Sequence, residues 1–128
     1  KSLSYIGFNG TGKQVRDLLH IDDLLSLINY QLDNFSKLNG DILNVGGGAD
    51  NSLSLLETTK LCEEITGKFI DIKSEAITRQ GDIPIFITDS SKIIAKTGWK
   101  PTINPKQTLK DIYEWILENE MMLKPVLS

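Results

Sequence analysis

Apolar positions fall into short alternating runs and longer helical stripes along this chain, and the two kinds take turns. Residues 3–8 carry Leu3, Tyr5, Ile6 and Phe8, which reads as a strand. Asn9-Gly10-Thr11-Gly12 has turn chemistry, and residues 14–21 form a second extended run. A helix is predicted from Asp22, with Leu24, Leu25, Ile28, Leu32 and Phe35 on one face and Asn39-Gly40 as its stop. Residues 41–45 read as a short apolar strand running into Gly46-Gly47-Gly48. Ser54 and Glu57 have capping-box spacing, so a helix starts there, with Leu55, Leu61, Cys62 and Ile65 inward and Gly67 at its end. Residues 69–72 and 83–88 read as strands, and Pro84 belongs at the beginning or edge of the second. Asp89 caps a short helix closed by Gly98. Asn104-Pro105 opens a final helix that points Leu109, Ile112, Trp115 and Ile116 inward and frays before Pro125.

Strands alternating with about four helices predict a layered α/β domain spanning residues 1–128. There is no internal repeat and no low-complexity tract. Lys1 is not a methionine and the chain opens inside a strand, so the expectation is a piece of a longer protein.

Composition narrows the functions. Hydrophobic residues make up 40% of the 128, an ordinary globular value. Net charge is −3, with no basic excess to attract nucleic acid, so any anion site must be local. No apolar run is long enough to span a membrane. The lone Cys62 excludes an intrachain disulfide and fits a cytoplasmic protein. His20 is the only histidine and has no ligand-spaced partner, which argues for a packing role and against zinc.

Two arginines and a glycine run carry the candidate chemistry. Arg16 sits inside an apolar extended run, where a guanidinium calls for a fixed anion. Local reasoning leaves two partners open: a ligand phosphate, or a structural carboxylate from Asp17, Asp22 or Asp23. Asp17 is the poorest of these, because strand neighbours face opposite ways. Arg79 lies in Thr78-Arg79-Gln80-Gly81-Asp82, a turn-rich loop. Gly46-Gly47-Gly48 follows a strand and precedes a helix, as a dinucleotide fingerprint does, but Asn51 stands where the third glycine is required. A permissive loop is the better reading, and such a loop can still line a cleft.

Three motifs in order then resemble a known family. Gly10-x-Gly12-Lys13-Gln14-x-Arg16-Asp17-x-Leu19-x-Ile21-x-Asp23 is the first, and Asn44-x-Gly46-Gly47-Gly48 followed by Asn51-Ser52-x-Ser54-Leu55-x-Glu57 is the second. Arg79-x-Gly81-Asp82, Asp89-x-Ser91-Lys92 and Gly98-Trp99-x-Pro101 make the third. Together they resemble the C-terminal substrate-binding lobe of NAD-dependent nucleotide-sugar epimerases and dehydratases, the extended short-chain dehydrogenase/reductases. Residues 3–8 and 51–57 look most like the CDP-paratose 2-epimerase (CDP-tyvelose epimerase) branch of that family.

The resemblance implies that Arg16 and Arg79 bind the diphosphate of a CDP-sugar and that Gln14 faces the same ligand. It implies a shaping role for Asp82 in the Arg79 loop and a structural role for Asp23. It also implies an isomerase parent that oxidises a sugar carbon transiently with NAD, and a homodimer built by the parent's other half. That N-terminal Rossmann half holds the family's cofactor fingerprint and its Tyr-x-x-x-Lys pair. Neither occurs here: Tyr5, Tyr30 and Tyr113 are followed four residues later by Asn9, Asn34 and Leu117. No catalytic residue, metal ligand or bound NAD is therefore expected in this chain, and its exposed surface is expected to be apolar. The alternatives are a UDP- or dTDP-sugar enzyme of the same family, or a non-enzymatic binding module whose arginines are structural.

Overall fold

A computed structural model describes residues 2–77 and 81–127. In chain order it contains β1 (Leu3–Ile6), β2 (Val15–Asp17), α1 (Ile21–Asp33), α2 (Phe35–Leu38), β3 (Ser52–Ser54), α3 (Leu55–Thr66), β4 (Ile72–Glu75), β5 (Ile85–Phe86), α4 (Ser91–Thr97), α5 (Pro105–Glu118) and α6 (Glu120–Leu127). The predicted α/β alternation stands, but the first expected helix, from Asp22 to the Asn39-Gly40 stop, is interrupted at Asn34 into α1 and α2, and the last is interrupted at Asn119 into α5 and α6.

The strands form two small sheets. β1 and β4 pair in parallel, with Leu3 opposite Ile72. β2 is the middle strand of the other sheet, antiparallel to β3 and parallel to β5. β1, β2 and β5 are shorter than the apolar runs suggest and β4 is displaced along the chain, because pairing extends only where both partners do; β3 lies where no strand was expected. β4 begins at Ile72, opposite the start of β1, which leaves Phe69 and Ile70 exposed outside it. β5 ends at Phe86, opposite Arg16 of the three-residue β2. Pro84 lies just before β5 as expected, and its carbonyl accepts from the Val15 N–H at 2.9 Å.

The expected strand at 41–45 is not formed. Among the described residues no strand pairs with it, and Ile42 is 87% exposed. α4 holds this segment from one side instead, through Lys92 Nζ to the Ile42 carbonyl at 3.0 Å and Lys96 Nζ to Asp41 at 2.5 Å.

Helix boundaries follow local chemistry closely. Ser54 and Glu57 close the capping box on α3, and Gly67 ends it in the left-handed conformation. Asn104 accepts from the Gln107 N–H at 2.9 Å, with Pro105 in the first turn of α5. The Asp89 carboxylate accepts from the Ser91 N–H at 2.9 Å, and Gly98 closes α4. The last helix differs from expectation. It breaks at Asn119, restarts as α6 and carries Pro125 inside it.

The core is small. Only Leu27 on α1 and Ile93 on α4 are fully buried apolar side chains among the described residues. Leu25, Ile28, Leu32 and Phe35, expected on the inner face of the first helix, are exposed. So are Ile112, Trp115 and Ile116 of α5 and Leu55 and Cys62 of α3, all expected inside. The periodicity formed amphipathic helices, but nothing among the described residues covers those stripes. Large apolar side chains therefore stand exposed along α1, α3 and α5.

Polar anchors hold the helices together. Asp23 is buried and accepts from the Thr102 N–H and hydroxyl and from the Ile103 N–H, at 2.8–3.1 Å. This pins the start of α1 to the segment before α5, a structural role as expected.

Candidate functional site

β2 places two charged residues side by side and sends them to opposite faces of the sheet. Asp17 turns inward. Its Oδ2 accepts from the Gly48 N–H at 3.0 Å, and its Oδ1 accepts from the Thr88 hydroxyl at 3.3 Å. Partial burial alone pushes this carboxyl up, but the Gly48 and Thr88 donors outweigh it and hold it below the ordinary value. No carboxylate–arginine pair forms within β2.

This explains the glycine run. A Cβ on Gly46 would lie 2.5 Å from Asp17 Oδ2, and one on Gly47 would collide with the Leu18 carbonyl oxygen. Only bare backbone can press this close to β2. The loop is thus a packing device, as the broken fingerprint implied. Its donors are also engaged: Gly48 N–H on Asp17, and Gly46 N–H on the Ser90 hydroxyl at 3.1 Å. A dinucleotide pyrophosphate needs such N–H groups free, so this loop does not fit NAD. It does line an open cleft of about 360 Å³ with Thr88, Ser91 and Pro101, on the Asp17 side of β2.

Arg16 turns the other way and is 44% exposed. Its Nη1 donates to the Val15 carbonyl at 2.7 Å, and its Nη2 lies 3.6 Å from Asp82 Oδ1. None of Asp17, Asp22 and Asp23 is its partner. Gln14 donates from Nε2 to Asp82 Oδ2, so Gln14 and Arg16 converge on one carboxylate. Sequence reasoning placed Asp82 in the Arg79 loop but missed this pairing. Arg79 itself falls in residues 78–80, outside the described residues. Whether the two arginines share one ligand is therefore a matter for proposal.

His20 performs the packing role expected of it. It is buried, its Nδ1 accepts from the Asp22 N–H at 3.1 Å as the N-cap of α1, and its Nε2 lies 3.3 Å from Asp111 on α5. Among the described residues no cluster of three or more His, Cys, Asp or Glu side chains could hold a metal ion. No described helix is long and apolar enough to cross a membrane.

The geometry defines a small α/β lobe with a half-exposed arginine raised on a rigid strand. Comparison with known proteins gives this lobe a context. No protein-family model matches the chain. It is 40% identical to the CDP-paratose 2-epimerase of Salmonella typhi, over 84% of this chain and 31% of that protein. UDP-glucuronic acid 4-epimerase of Bacillus cereus, solved with UDP-glucuronic acid and NAD, superposes on 92% of this chain with a TM-score of 0.73 and 25% identity, using 36% of its own length. The dTDP-glucose 4,6-dehydratase of Bacillus anthracis str. Ames, solved with NAD, covers 98% of this chain with a TM-score of 0.73 and 28% identity, using 37% of its own length.

The relatives and structural neighbours of this chain are NAD-dependent nucleotide-sugar epimerases and dehydratases, the family its three motifs resemble. The fold matches the C-terminal part of those structures, and the chain spans about a third of the length of the curated relatives it matches.

Proposed function

We propose that this chain is the nucleotide-sugar-binding portion of an NAD-dependent sugar-nucleotide epimerase, acting on a CDP-sugar. The observation that carries this reading is Arg16. β3 and β5 flank its strand, the Asp17 anchor fixes the strand's other face, and the guanidinium stands half-exposed with donors to spare. A planar fork of this kind suits two oxygens of a diphosphate. Arg79 is the proposed second arm and Gln14 belongs to the same site. The identity to a CDP-paratose 2-epimerase supports cytidine over uridine or thymidine.

In this reading the chain's own residues bind and orient. Holding the diphosphate uses remote binding energy to place the sugar for reaction elsewhere. NAD supplies the transient oxidation in such enzymes, and no cradle for it exists among the described residues. The chain alone is therefore inactive. Its parent is proposed to be a cytoplasmic homodimer.

Titration calorimetry with CDP tests the site. The wild-type chain binds, and Arg16→Ala weakens binding about tenfold or more, as expected for loss of one charge-assisted contact. Equal affinities would remove Arg16 from the site and favour the second reading, a structural arginine paired with Asp82 in a non-enzymatic module. Titration with UDP and dTDP alongside CDP then ranks the base.

A further inference from the structure

Two stretches far apart in sequence meet at one carboxylate. Asp82 precedes β5, Gln14 lies beside β2 and Arg16 on it, and Gly7 follows β1. Gln14 donates to Asp82 Oδ2 while Arg16 Nη2 approaches Oδ1. Gly7 closes the group from below. A Cβ there would lie 2.7 Å from Asp82 Oδ2 and 2.8 Å from Gln14 Nε2. The segment carrying Asp82 is clamped to β2 by the Val15 N–H bond to the Pro84 carbonyl. The carboxylate is the sheltered member of the pair, 22% exposed against 44% for Arg16.

We infer that Asp82 is a positioning residue for Arg16: Gln14 fixes the carboxylate, and the carboxylate steadies one edge of the guanidinium so that its remaining N–H groups face an incoming diphosphate. This rests on the reading of Arg16 given above. A free arginine side chain samples many rotamers, and a ligand must overcome that entropy. A tether made in advance lowers that cost. At 3.6 Å the contact is longer than the 2.7–2.9 Å of a charge-assisted hydrogen bond. It orients Arg16 without saturating it. A guanidinium has five N–H donors, and only two of its nitrogens are engaged here. Gln14 accordingly acts through Asp82.

The test is a double-mutant cycle in the 128-residue chain with Arg16→Ala, Asp82→Asn and the double variant. CDP affinity is measured by calorimetry, and the ligand-free Arg16 side chain is followed by nitrogen-15 relaxation of its Nε–H. Asp82→Asn is expected to weaken CDP about two- to tenfold, the range for immobilising one rotamer-rich side chain. It adds nothing in the Arg16→Ala chain. It also lowers the Arg16 order parameter in the free protein, and Gln14→Leu lowers it in the same direction. Additive losses in the cycle, or tighter CDP binding by Asp82→Asn, overturn the inference. If Arg16→Ala leaves CDP affinity unchanged, or the wild-type chain binds none, the reading of Arg16 as a phosphate ligand fails on its own. The relaxation data then decide the positioning role: an Arg16 signal equally restrained with and without Asp82 overturns it.

Discussion

The surroundings of β2 and the outer faces of α1 and α5 are stabilised in opposite ways. Around β2, glycine backbone meets backbone at close range and charged groups find their partners within the chain. Among the described residues no buried side-chain nitrogen or oxygen lacks a partner. Along α1 and α5 the reverse holds. Leu25, Ile28, Leu32, Ile112 and Trp115 form helical stripes of the usual kind, yet they face solvent. The polar contacts around β2 are thus satisfied within the chain, and the apolar faces are not covered. A short strand can be held by local polar anchors even where the surrounding domain buries little apolar surface.

Three variants probe that contrast. The largest effect belongs to Gly47→Ala. Its methyl group meets the Leu18 carbonyl, so β2 and the loop must separate, at a cost of about 3 kcal/mol. A clearly lowered midpoint in thermal or urea unfolding is the expected result. A neutral outcome would mean that the loop is not pressed against β2.

Asp17 gives a smaller effect with a pH signature. Its carboxyl is held below the ordinary value of 3.8 in the folded chain. Its contribution is therefore complete at neutral pH and is lost as pH falls below about 4 toward the lowered folded value. Asp17→Asn is expected to cost about 1 kcal/mol at pH 7 through weakened hydrogen bonds, and the cost shrinks in acid. Unfolding midpoints from pH 7 down to 3 check this. Parallel pH profiles for the two proteins would break the assignment.

The smallest effect is expected on the uncovered side. Leu32→Gln with Phe35→Gln changes stability by no more than about 0.5 kcal/mol, because both side chains are already in water. A loss of several kcal/mol would show that this face is covered after all, and the contrast between the two regions would collapse.

How much of this was legible in the sequence depended on range. The caps at Ser54, Asn104 and Asp89 and the stops at Gly67 and Gly98 were readable because each depends on residues within one helical turn. The loop role of Gly46-Gly47-Gly48 was readable from a broken spacing. Strand ends were not, since each depends on how far a partner strand reaches. The outward turn of Phe35 and Trp115 was hidden as well: periodicity reveals a stripe, never what covers it. The carboxylate beside Arg16 was not legible, because it comes from a distant loop and not from Asp17, Asp22 or Asp23, and no local pattern joins Gln14 to a residue 68 positions away.

β2 is only three residues long, yet it is paired on both edges, with Arg16 opposite Leu53 on one side and Phe86 on the other. Strand side chains alternate, so a slip of one position reverses every face at once. Such a slip would drive the guanidinium into the Gly48 and Thr88 donors and set a carboxylate against Asp82. Both errors occur together and neither can be corrected alone. The pairing therefore works like a two-toothed key: the strand either seats with both charges in their proper locks, or fits neither.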